Sequence, residues 1–77
     1  MEYQYFEVEF SIDHDENTAE WICIRGERQP SVEEANVFCK TDAERVKMPV
    51  TGVFPISRQE AEVFYDFTNE AKWPVFR

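Results

Sequence analysis

Between residues 2 and 12 the apolar side chains Phe6, Val8, Phe10 and Ile12 occupy the even positions, while Tyr3, Tyr5, Glu7, Glu9 and Ser11 occupy the odd ones. A period of two is that of a β-strand with one buried face. Asp13-His14-Asp15-Glu16-Asn17-Thr18 supplies turn-forming residues, and residues 19–25 resume β-branched and aromatic character with Ile22 and Ile24 on one side. The two segments predict a β-hairpin. After Pro30, Ser31-Val32-Glu33-Glu34 has Ser at the N-cap and Glu three residues on, a capping box that predicts a helix from about residue 32 to 40, with an extension to 45. Lys47-Met48-Pro49 ends the helical pattern, and residues 50–56 are apolar and β-rich, with Gly52 and Pro55 pointing to an edge or bulged strand. Ser57-Arg58-Gln59-Glu60 is a second capping box, and Ala61, Phe64, either Phe67 or Thr68, and Ala71 continue at helical spacing. Trp73-Pro74-Val75-Phe76 forms an extended tail that packs back on the domain, with room for a short further strand.

The order is β-β-α-β-α. The pattern predicts an α+β fold in one small domain, residues 1–77, with a three-stranded mixed sheet of order 2-1-3 and two helices on one face. The crossover rule sets strand 3 parallel to strand 2 and beside strand 1. The segment Ser31-x-x-Glu34-Ala35-x-Val37-Phe38 is echoed by Ser57-x-x-Glu60-Ala61-x-Val63-Phe64, with five of eight positions matching, which favours placing both helices alike. If both cover the face of Phe6, Val8, Phe10, Ile12, Ile22 and Ile24, the opposite face displays Tyr3, Tyr5, Glu7, Glu9, Trp21, Cys23 and Arg25. Solvent faces of antiparallel sheets rarely carry Tyr, Tyr and Trp, so this face is the candidate contact surface, with Tyr3, Tyr5, Glu7, Glu9, Trp21 and Arg25 as its binding residues. The competing reading is that these aromatics form cross-strand pairs, or that the C-terminal tail folds over them.

Composition narrows the function. The 77 residues hold 16 acidic and 8 basic side chains, a formal charge of −8, with 43% apolar and 16% aromatic residues. A core of this size supplies only about 3–5 kcal/mol of net stability, so a contact with a partner or a second copy matters. Charged residues interrupt every apolar stretch well before the roughly 18–20 residues a membrane span requires, and no secretory signal is visible, so a cytoplasmic protein is expected. The acidic balance and the scattered basic residues argue against direct nucleic-acid binding, while carboxylates in excess suit a basic protein partner.

Specific chemistry is sparse. Cys23 and Cys39 lie 16 residues apart without a Cys-x-x-Cys pair, His14 is the single histidine, and neither a zinc site nor a paired nucleophile follows. Asp13-x-Asp15-x-Asn17 has the first ligand spacing of a calcium loop but places Thr18 where glycine is needed and Ile24 where the bidentate glutamate belongs. Gly26 and Gly52 stand in no phosphate-binding setting. The expectation is therefore a non-enzymatic protein-interaction module without metal or cofactor, meeting a protein partner or a second copy as a homodimer. An acidic inhibitor or nucleic-acid mimic, of the kind mobile elements carry against basic host proteins, is the alternative. A small metal-binding or enzymatic domain is the weakest reading.

Overall fold

The computed structural model describes residues 2–77. Strand β1 (Gln4–Phe10) pairs antiparallel with β2 (Glu20–Gly26) on one side and with β3 (Val50–Ile56) on the other. A two-residue strand, β4 (Val75–Phe76), adds in parallel to β2 at Arg25 and Gly26, giving the order β3-β1-β2-β4. The three-stranded core thus has the expected order, and the tail supplies the fourth strand. Only the β2–β4 pair is parallel among neighbours, because a hairpin joins β1 to β2 and the helical crossover returns the chain antiparallel beside β1.

Phe6, Val8, Phe10, Ile24 and Val50 form the buried core with Ala35 and Cys39. Ile12 departs from the alternation and is exposed. A register shift between Glu9 and Phe10 and a tight turn at Ile12–Asp15, with Asp13 and His14 both left-handed (φ 53° and 58°), carry it off the core face.

Helix α1 (Val32–Phe38) begins at the expected capping box: Ser31 Oγ accepts from Glu34 N–H at 3.1 Å, and Glu34 Oε1 accepts from Ser31 N–H at 3.0 Å. The backbone bends at Cys39 (φ −101°, ψ 26°), so the single expected helix becomes α1 and α2 (Lys40–Val46), which ends at the left-handed Lys47. α1 and α2 lie on the Phe6–Val8–Phe10 face, where Phe38, Ala43 and Val46 pack against the core.

Helix α3 (Arg58–Phe64) also begins at a capping box, at Ser57 and Glu60. Two expectations for it are corrected. It runs seven residues rather than through Ala71, because Tyr65 turns extended (φ −129°, ψ 149°) and Asp66 Oδ1 accepts from Thr68 N–H, a local turn that competes with the helix. A short 3-10 helix (Glu70–Lys72) follows. And α3 lies on the opposite face from α1, over Tyr5 and Glu7, so the helices sandwich the sheet. Ala35 and Ala61, equivalent in the echoed motif, are both fully buried, each against its own side.

β3 is an outer strand, and its edge is blunted by Pro55 and by side-chain amides: Asn36 donates to Val50 O and accepts from Val50 N–H, and Gln29 donates to Val53 O. The other edge depends on Gly26. A Cβ there would lie 2.9 Å from Phe76 O and 3.2 Å from Arg28 O, both backbone atoms. Gly26→Ala is expected to lower stability by about 1–2 kcal/mol through displacement of β4, read as a lower urea midpoint with an unchanged slope.

Candidate functional site

The register confirms that Tyr5, Arg25, Glu7, Cys23, Glu9 and Trp21 share one face, since Tyr5 faces Arg25, Glu7 faces Cys23 and Glu9 faces Trp21 across the β1–β2 pair. That face is not open along its length. At one end α3 and the segment after it close over Tyr5, which is buried and stacks on Phe67 (5.6 Å between centroids), while Phe67 meets Trp73 at 5.0 Å. Glu70 fastens this cover. It accepts from the Tyr5 hydroxyl and is gripped by both Arg58 Nη atoms at 3.0 Å, and Arg58 Nη1 also donates to the Tyr5 oxygen at 2.6 Å. Farther along, the Tyr65 hydroxyl donates to Glu7 Oε2 at 2.9 Å. Burial, reinforced by Glu70, raises the Tyr5 phenol above its ordinary pKa, and burial with Glu7 does the same for Tyr65.

Glu9 is buried as well. Its Oε1 accepts from Thr51 Oγ1 at 2.6 Å, lies 3.1 Å from His14 Nδ1 and accepts more weakly from Ser11 Oγ at 3.4 Å. The left-handed turn at Asp13 and His14 is what returns the imidazole to Glu9. Asp15, second in the calcium-like spacing, uses Oδ1 to accept from Asn17 N–H, and among the described residues no group of three or more His, Cys, Asp or Glu is arranged to hold a metal. Cys23 sits on the α3 side and Cys39 in the core on the other, so the sheet separates the two free thiols; burial pushes each up to about 11.

Several of these carboxylates titrate below their usual range. The Thr51 hydroxyl is the largest cause at Glu9, the Tyr5 hydroxyl at Glu70, and the Arg28 guanidinium at Glu34, which falls to about 2. A carboxylate depressed in the folded state contributes stability that is fully present above its unfolded pKa of about 4.3 and disappears as pH falls through the folded value. Thermal melts should therefore hold steady down to about pH 5 and fall progressively below it. Glu9→Gln should flatten that fall, and an acid limb as steep in the variant as in the wild type would exclude Glu9 as a contributor.

The other end of the face is uncovered. Trp21 is 40% exposed and meets Phe54, 46% exposed, at 6.0 Å between ring centroids, while Phe64 at the end of α3 is 72% exposed. A groove of about 400 Å³ lined by Glu7, Glu20, Trp21, Phe64 and Tyr65 runs between α3 and β2. Because β4 pairs with Arg25 and Gly26, no strand among the described residues lies on the outer edge of β2 over residues 20–23 beside this groove. The chain matches no family model, no curated protein and no solved structure.

Of the six sequence-derived site residues, Trp21 alone is an exposed apolar group; Tyr5, Glu7, Glu9 and Arg25 serve contacts within the chain, and Tyr3 lies under the Arg25 guanidinium at 5.0 Å. Phe54 and Phe64 are the residues sequence reading missed. Pairing of Phe54 with Glu7 in the β1–β3 register assigns it to the same face, and that register was not readable locally. The signal for Phe64 was present in the echoed motif. Its counterpart Phe38 packs edge-on against Phe76 at 5.5 Å, whereas Phe64 has no such cover.

Proposed function

We propose that this chain is a non-enzymatic protein-interaction module working in the cytoplasm, and that its contact surface is the uncovered half of the α3 face: Trp21, Phe54 and Phe64, rimmed by Glu7 and Glu20. The observation that carries this reading is the asymmetry of two otherwise matching helices. Phe38 of α1 is packed and the equivalent Phe64 of α3 stands in solvent beside two further exposed aromatics. Clustered exposed aromatics mark contact surfaces, while single exposed apolar residues do not. The groove beside them is lined by two carboxylates and no basic side chain in a chain of charge −8, so the occupant is a protein segment presenting an apolar side chain flanked by Lys or Arg. No helix is long and apolar enough to cross a membrane among the described residues.

Trp21→Ala with Phe64→Ala should keep a cooperative native melt, with the 72% exposed Phe64 costing under about 0.5 kcal/mol of unfolding free energy and the 40% exposed Trp21 about 1 kcal/mol, and should abolish association. The measurement is solution mass by light scattering and binding to a basic, aromatic-containing peptide, with Val37→Ala on α1 as the control. Gly52→Ala gives a subtler probe: a Cβ there clashes with the Phe54 ring, at 2.6 and 2.7 Å, and meets Glu9 Cβ at an ordinary 3.7 Å, and an exposed ring can swing away. Its expected effect is weaker binding without loss of stability. Peptide binding equal in all variants would reject the surface, and a dimer split by the double variant would make a second copy the occupant. The acidic-inhibitor reading favours charge over the aromatics, and it predicts binding that falls steeply with salt but survives Phe64→Ala.

A further inference from the structure

Beyond the contact surface, the opposite end of the same face holds a cavity of about 590 Å³, within the roughly 300–1,000 Å³ range of small-molecule sites. Its walls include Tyr3, Tyr5, Pro55 and Ile56, with two arginines, Arg25 and Arg58, and two carboxylates, Glu2 and Glu70, as the charged groups. Arg25 is the anomaly there. Its side chain is 14% exposed, against 52–69% for the other four arginines, yet it is the most poorly partnered of them. Arg28 and Arg58 hold carboxylates with two hydrogen bonds each, and Arg77 meets Glu27 at 2.8 Å. Arg25 has one long hydrogen bond, 3.5 Å to Trp73 O, and a 3.8 Å approach of Nη1 to Glu70, and its buried Nε has no hydrogen-bond partner among the described residues. Glu70 is turned to other donors: Oε1 accepts from the Tyr5 hydroxyl and Arg58 Nη1, and Oε2 accepts from Arg58 Nη2. A guanidinium taken out of water without a good acceptor is costly, and native structures supply the acceptor from protein, water or ligand.

We infer that this cavity binds a small organic carboxylate, its anionic head on Arg25 Nη1 and its apolar body against Pro55 and Ile56. Nη1 offers one carboxylate oxygen a charge-assisted hydrogen bond, while Nη2 stays on Trp73 O. The charge setting favours a single negative charge over a phosphate dianion, because Glu70 stands 3.8 Å from the same Nη1 and the whole chain carries −8. The site is separate from the Trp21–Phe54–Phe64 surface and shares no lining residue with the groove there.

The test is a titration of the full chain with benzoate, benzamide and inorganic phosphate, followed by NMR at the Arg25 Nε–H and at the backbone amides of Tyr3, Tyr5 and Ile56. Benzoate should move these signals saturably, binding at least roughly tenfold more tightly than its uncharged isostere benzamide, which lacks the charge-assisted hydrogen bonds, and phosphate should be the weaker anion. Arg25→Gln should lose the benzoate response while keeping a native amide spectrum. If that variant does not fold, the wild-type comparison of benzoate with benzamide decides alone. Equal binding of the two, no saturable shift at Arg25, or phosphate binding tighter than benzoate would each overturn the assignment.

Discussion

Phe6→Ala is expected to remove about 3–5 kcal/mol, as large as the whole stability of a domain this size, and to leave the chain mainly unfolded at 25 °C. Phe6 is fully buried at the centre of the sheet, level with Ile24 on β2 and Pro55 on β3. It belongs to the cluster that receives Ala35 from α1 and Cys39 from the bend that follows it. Deleting the ring leaves a cavity bounded by a strand paired on both sides and by a helix, and neither can collapse into it without breaking hydrogen bonds. Near-UV circular dichroism and methyl-region proton NMR read the outcome: lost dispersion and no cooperative melt. Val37→Ala, on the outward side of the same helix, should melt like wild type. A cooperative Phe6→Ala transition within a few degrees of wild type would show that the core does not carry the fold.

The cluster around Phe6 was legible because alternation along a strand is a local property, and Phe6, Val8 and Phe10 declare it within five positions. The two Ser-x-x-Glu boxes were legible for the same reason: each cap closes over three residues. What failed was decided at long range. The side of the sheet that α3 covers is fixed by Arg58 reaching Tyr5 and by Tyr65 reaching Glu7, contacts 53 and 58 residues apart. A helical period cannot distinguish one face of a sheet from the other. The aromatic face was read correctly as a face and incorrectly as open, because nothing local in Phe67, Glu70 or Trp73 announces that they return to Tyr5. The competing reading put the Trp73–Phe76 tail across these aromatics; instead Phe67, Arg58 and Glu70 cover Tyr5, with Trp73 against Phe67 and Val75–Phe76 paired to β2, and the contact-surface reading is left with the Trp21 end. Ile12 failed for a different reason: the bulge and the left-handed turn break the alternation just where it meets the hairpin.

That return of the C-terminal segment rests on one carboxylate, and Glu70→Ala is expected to destabilise the protein by about 2 kcal/mol. The estimate comes from weighing its two arginines separately. Arg58 is 52% exposed, so on losing Glu70 it rehydrates and keeps Glu62 at 3.0 Å; its share is the small one of a solvent-screened surface pair. Arg25 cannot rehydrate as easily and is left with only the Trp73 carbonyl, and the Tyr5 hydroxyl, at the buried base of the cover, loses the acceptor that orders it. These two groups dominate the loss. Glu70→Gln keeps an acceptor for Tyr5 and should cost about half as much, whereas Arg58→Ala should cost least of the three. Trp73 supplies an independent readout. It packs on Phe67 under this latch, so release of the segment should shift its emission to the red in Glu70→Ala before the sheet melts. A variant as stable as wild type with unshifted emission would mean that the Phe67–Tyr5 stack alone holds the cover, and that the Glu70 contacts follow the packing rather than direct it.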